Sequence, residues 1–386
     1  MFRVTIGYIC KLVMKKLIII FLSALILFSC DTDFDVASDW KEIIIVYGLL
    51  EPDESDHYIR LQKAFLDEEV GALEIAPISD SIYTQDSLVV TIRDIENDVT
   101  YALQKIQSPS SGIDKDPGIF GTTPHVLFTF NATLTPGNTY ELTATNVRTN
   151  LVITAQTQLL GTDFLFRYPG LLTKLNSTTD FRELRFDYAD PSSTFSVDFK
   201  PVDNAFVYQL DATLHMDNYA RSGGVWTKTG EETVDWNIFK NTFRKDFTTA
   251  TGNFIENSYL RIAFFDNLNV KLTGVPTPTG THRKMEFISF EMTAAGEELQ
   301  NYIDINTDNF DITEGFSKPV YTNVTNGLGV FSSRITVPIT YDHNFVPFDE
   351  ENLFVIENIT KDSLHCNILT TDLNFLCAAN EPCFCQ

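Results

Sequence analysis

The chain has 386 residues, 28 basic against 52 acidic side chains and a net charge of −24. That balance excludes the basic footprint a nucleic-acid binder needs. A 44% hydrophobic fraction with 31 phenylalanines excludes a disordered chain and supplies a sizeable core.

Two lysines, Lys15 and Lys16, lead into an apolar run from Leu17 to Phe28. The run has the length of a secretory h-region and falls short of the roughly 20 residues a spanning helix needs. It ends Leu27-Phe28-Ser29-Cys30, an aliphatic residue three places before a cysteine and a small residue just before it. This resembles the bacterial lipobox. The resemblance implies removal of residues 1–29, a thioether-linked diacylglycerol on Cys30 and acylation of its new amino end. A single acyl chain holds a protein only marginally, at about 0.8 kcal/mol per buried CH₂, so three chains make a permanent tether. Residues 1–13 form a weaker second lead, and Met14 is read as the start. Asp31, Asp33 and Asp35 follow the cysteine and resemble the surface-export signal of Bacteroidota lipoproteins. A solvated linker and a proteobacterial inner-membrane retention signal are the alternatives. Residues 1–29 carry four basic and no acidic groups, which leaves 24 basic against 52 acidic, or −28, beyond them.

After an acidic tether at 30–39, short strands separated by polar turns are predicted. "KEIIIVYGLL" stops at Glu51-Pro52-Asp53. In "DHYIRLQKAFL", Tyr58, Arg60 and Gln62 fall on one side and Ile59, Leu61 and Lys63 on the other. "DSLVVTIRDI" and "VTYALQKI" form a pair around Glu96-Asn97-Asp98. "FTFNATLTPGNTYELTATN" has the form of a tyrosine corner, with Tyr140 bonding back to upstream backbone. These signals predict an immunoglobulin or fibronectin III-like β-sandwich over 40–160. A larger, mainly β second domain is predicted over 161–345, with strands at "ELRFDY", "TFSVDFK", "AFVYQLDATLHMDNY", "VWTKTGEETVDWNIF", "NSYLRIAFFDN" and "KMEFISFEM". One or two short helices are predicted in it, the clearest at "TAAGEELQNYIDIN", where Ala295, Leu299 and Tyr302/Ile303 share a face.

A tail at 346–386 holds Cys366, Cys377, Cys383 and Cys385, an even set in a chain read as exported, so disulfides are the default. Cys383 and Cys385 are too close to pair with each other without strain, and each is assigned to Cys366 or Cys377. A four-thiolate zinc site is the alternative, but Cys-x-Cys with gaps of ten and five residues fits it poorly.

The stretches "IIVYGLLEPDESDHYIRLQKAFL", "GEELQNYI" and "YTNVTNGLGVFSSR" occur in this order along the chain. Together they resemble a Bacteroidota outer-membrane lipoprotein family classed as a domain of unknown function. Its members are often encoded beside TonB-dependent receptors. The resemblance implies a lipid-anchored accessory on the outer membrane, facing the cell surface, whose partner is a TonB-dependent transporter or a related outer-membrane barrel. Gly327 and Gly329 allow positive φ or close backbone approach, with Val330 and Phe331 entering the core.

Catalytic signatures are absent: no H-E-x-x-H, G-x-S-x-G or phosphate loop occurs, and the histidines at 57, 125, 215, 282, 343 and 365 are scattered. The reading is non-enzymatic, with no cofactor, no metal and no nucleic acid. Two rivals stand beside it. A stand-alone glycan-binding or adhesive lipoprotein would use Tyr219, Trp226 and Trp236 on a glycine- and charge-rich hairpin. A hydrolase would need an acidic pair that sequence cannot single out. Ser81, Ser87 and Ser363 sit in Asp-Ser-aliphatic triplets that resemble O-glycosylation acceptors.

Overall fold

Alternation of apolar and polar residues governs the first strands. A computed structural model describes residues 43–64, 87–108, 112–113, 125–168, 183–186, 192, 194–244, 248–249, 254–307, 321–339, 353–366 and 369–378. In it, Ile44, Val46 and Leu50 of β1 (Ile44–Leu50) are buried while Tyr47 and Leu49, on the opposite face, are half-buried. β2 (Asp56–Lys63) alternates in the same way, with Ile59 and Leu61 inside and Tyr58 and Arg60 on the other face. There follow β3 (Leu88–Asp94), β4 (Val99–Ala102), β5 (Gln104–Gln107), β6 (Val126–Asn131), β7 (Thr139–Asn146) and β8 (Leu151–Gln158).

The run "VTYALQKI" is two strands rather than one. β4 pairs with β3, whereas β5 pairs with β6 in the facing sheet, so the chain changes layers at Leu103. Side chains from both layers, among them Ile44, Ile59, Val90, Phe128, Tyr140 and Leu142, form one core. Tyr140 makes the expected corner: its hydroxyl accepts the Thr135 amide at 2.8 Å and donates to Asp94 at 3.0 Å.

The second half runs β9 (Leu165–Tyr168), β10 (Glu183–Leu184), β11 (Thr194–Lys200), β12 (Val207–Ser222), β13 (Val225–Phe243), β14 (Thr248–Thr249), β15 (Ile255–Leu260), α1 (Ile262–Leu272), β16 (Thr281–Ala295), α2 (Glu297–Thr307), β17 (Val324–Thr325), β18 (Leu328–Pro338), β19 (Phe354–Ile356) and α3 (Asn358–Cys366). β12 and β13 form a long hairpin whose two turn residues, Gly223 and Gly224, both have positive φ (59° and 87°). A two-residue turn of that hand matches the twist of the strands, and glycine enters it at no steric cost.

"NSYLRIAFFDN" is only half a strand. The chain leaves β15 at Leu260 and winds into α1, burying Phe264, Phe265, Leu268 and Leu272 at helical spacing. The helix near 297 exists as expected, but Ala295 remains in β16.

The segment boundaries expected from sequence do not bound the packing. β17 joins β8 on one layer of the sandwich, and β18 pairs in parallel with β1 on the other. β18 also pairs with β16, so a single sheet runs from the sandwich into the second core. Gly329 is what lets β18 approach β1: its φ is 104°, and a Cβ there would meet the Val46 carbonyl oxygen at 1.9 Å. The tail joins the second core rather than standing apart, burying Leu364, Leu373 and Phe375 alongside Phe264 and Met285. Each such large apolar side chain contributes about 1.5–3 kcal/mol on burial.

Candidate functional site

The sheet β18-β1-β2-β6 buries one face in the sandwich core. Among the described residues, α2 covers part of its other face. Between them lies a cavity of about 720 Å³. Tyr47 and Leu49 of β1, Leu127 of β6 and Val330 of β18 supply its sheet side, and Leu299 and Tyr302 of α2 face them. The strand period places Tyr47, Leu49, Tyr58 and Arg60 here, because their neighbours Val46, Ile59 and Leu61 are committed to the core.

Polar groups converge on this apolar site, the usual composition of a small-molecule pocket. The Arg60 guanidinium lies over the Tyr47 ring, 4.6 Å from its centroid. Burial, and next the Tyr47 hydroxyl that shares a hydrogen bond with it, raise the Tyr302 phenol above its ordinary value. Glu51 accepts two hydrogen bonds from Arg334, through Nε and Nη2. Asp56 accepts from Asn131 at 2.8 Å. His57 is buried, tilted against Phe130 at 4.8 Å, and its Nε2 bonds the Ala132 carbonyl at 3.0 Å. Burial holds its ring below the ordinary imidazole value, which leaves it neutral at pH 7. The arrangement can recognise a ligand by stacking, charge and hydrogen bonding. No group of three or more His, Cys, Asp or Glu set to hold a metal ion occurs among the described residues.

The cavity was missed in sequence, although its signal was present. Apart from His125 and Leu127, every lining residue comes from "IIVYGLLEPDESDHYIRLQKAFL", "GEELQNYI" or "YTNVTNGLGVFSSR". The first stretch, more than two hundred residues before the other two, meets them at one place.

The sequence-based candidates scatter instead. Trp236 is a core residue, 6% exposed and packed edge-on against Phe186 and Phe264, both at 6.0 Å. It is therefore withdrawn as a ligand contact. The physical reason is a bulge. Asn218 faces Gly230 but Tyr219 faces Lys228, so Thr229 is an extra residue and the face of β13 switches between Trp226 and Trp236. Trp226 and Tyr219 stay on the open face, both half-buried. Trp226 stands edge-on to His282 at 5.3 Å with Arg221 over it at 5.7 Å, and Lys284 lies 5.7 Å from the Tyr219 ring.

Ser87 is likewise corrected. It is 7% exposed, at the head of β3 where its carbonyl accepts the Val147 amide, so its hydroxyl is poorly placed for glycan transfer. Ser363 is half-buried on α3. Cys366 and Cys377 are both disulfide-bonded. Cys30, Asp31, Asp33, Asp35, Ser81, Cys383 and Cys385 lie outside the described residues. No helix among the described residues is long and apolar enough to cross a membrane, which does not bear on a lipid anchor.

No protein-family model matches the chain, and no curated protein matches it significantly.

Proposed function

We propose that this protein is a non-enzymatic, lipid-anchored outer-membrane protein, held through Cys30, that acts as a ligand-receiving accessory to a TonB-dependent transporter or related barrel. The observation that carries the binding role is the convergence of the three stretches on one cavity of about 720 Å³. Those are the stretches by which the chain resembles the lipoprotein family encoded beside such receptors. The address rests on the lipobox at Leu27–Cys30 and the aspartates after it. Disulfides at Cys366 and Cys377 support an oxidising compartment. With Trp236 in the core, the stand-alone glycan binder loses one of its three aromatic contacts.

Two measurements test this. A palmitate analogue fed to cells is expected to label the protein and to leave Cys30→Ser unlabelled and released from the membrane. A mild-detergent pull-down from the native outer membrane is expected to return a stoichiometric barrel protein. Labelling that survives Cys30→Ser overturns the anchor, and a lone lipoprotein in the pull-down overturns the accessory role.

A further inference from the structure

Among the described residues, one cation of the cavity is in no ion pair. Arg93 pairs with Asp98, Arg283 with Glu232 and Arg334 with Glu51. Arg60 holds no carboxylate among the described residues, and its Nε is shut off from solvent and bonded to nothing. A half-buried cation left unpaired costs stability, and such local defects concentrate where a ligand completes the site.

The surroundings define what completes it. Tyr47 holds the guanidinium from below, and Leu49, Leu127, Val330 and Leu299 offer an apolar bed beside it. The acids of the cavity do not neutralise Arg60: Glu51 is taken by Arg334, and Glu54 and Asp56 are exposed, where solvent and salt screen them. A neutral sugar would leave the half-buried charge unanswered, and a cation would face it.

We propose that the cavity binds a small amphiphilic carboxylate, its anionic head on Arg60 and its apolar body over Leu49, Leu127, Val330 and Leu299. This deepens the ligand-receiving reading and rests on it. The head can belong to a free organic acid or to the end of a peptide-like compound, and the chemistry at Arg60 is the same for both. A guanidinium meets a carboxylate through charge-assisted hydrogen bonds.

The test is isothermal titration of the full chain in lipid nanodiscs with hexanoate, N-acetyl-leucine, N-acetyl-leucine amide and hexylamine. Saturable one-to-one binding of a carboxylate probe is expected, with the amide and the amine silent. Preference for N-acetyl-leucine over hexanoate assigns the peptide-like source, and the reverse assigns the free acid. Arg60→Met keeps an unbranched side chain, removes the guanidinium over Tyr47 and is expected to weaken the carboxylate about tenfold or more, the scale of a lost charge-assisted hydrogen bond. The same variant, without ligand, is expected to melt no lower than the parent, a result a merely structural arginine would not give. Should Arg60→Met fail to fold, Tyr302→Phe provides the second variant. It keeps the charge and removes a hydroxyl that bonds Tyr47, so carboxylate binding is expected to stay within about threefold of the parent, and its complete loss overturns Arg60 as the anion's contact. Equal binding of acid and amide, or no binding of either carboxylate at millimolar concentration, overturns the proposal. The barrel pull-down is read separately, so failure here leaves the accessory role standing.

Discussion

Asp94 is the residue on which the tyrosine corner depends. It is 2% exposed and its carboxylate accepts from the Asn97 amide, the Asn97 and Asn138 side chains and the Tyr140 hydroxyl. Burial alone would raise its pKa, but these donors outweigh burial and hold it below the ordinary carboxylate value. The hydrogen bond to Asp94 and burial together push the Tyr140 phenol up to about 12, burial being the larger cause. Asp94→Ala strands several donors at once and is expected to cost about 3 kcal/mol by urea denaturation, the upper range for an unsatisfied buried group. Because the folded pKa is depressed, the stability Asp94 contributes is present above its unfolded value. It is lost as pH falls through the folded value, and the variant should lack that acid limb.

At the scale of elements, α2 is seated by a carboxylate of the opposite sense. Glu298 accepts from Thr157 of β8 at 3.1 Å and from Ser332 of β18 at 3.0 Å. Burial raises its pKa, more than those two hydrogen bonds lower it. A raised carboxyl favours folding below its unfolded value and loses that advantage as pH rises through the folded value. Glu298→Gln keeps an oxygen for both hydroxyls and removes the charge. Its thermal midpoint at neutral pH is expected to rise, and the gain to vanish in mild acid; a fall at neutral pH would show that the ionised form holds the helix in place. The long hairpin is tied by a second element, the tail. Arg283, 2% exposed, donates to Glu232 and to the Leu373 and Val275 carbonyls, while its own backbone bridges Asn374 and Leu376. Glu232 lies on β13, so one guanidinium joins the hairpin to the chain's far end.

For the whole molecule, the decisive element is β18. It closes the sandwich against β1 through Gly329 and enters the second core through Ile335. A fragment of residues 43–160 therefore leaves one edge of β1 unpaired, with only β2 beside it, and lacks Val324 and Phe331. That fragment is expected to unfold without a cooperative transition in urea, whereas residues 43–386 give one; a sharp transition from the fragment would show that the sandwich folds alone. Much of the architecture was legible beforehand. The alternation of Ile59, Leu61 and Arg60, the Pro136-Gly137 turn into Tyr140 and the paired glycines at 223 and 224 are local patterns, set by the two-residue period of a strand or by backbone sterics. α1 was misread because Phe264 and Phe265 look β-rich in a short window, and its helical spacing emerges only with Leu268 and Leu272.

The sequence by itself determined the β-rich class, most strands, the tyrosine corner and the helix near residue 297, because these follow from neighbours in the chain. Only the tertiary structure decided that Trp236 is buried while Trp226 is not, since one bulged residue, Thr229, exchanges the faces of a strand. Only it brought Tyr47, Arg60, Tyr302 and Arg334 into one cavity. Pairing across hundreds of residues is fixed by which apolar faces remain to be covered after the local elements form, and no local pattern carries that information.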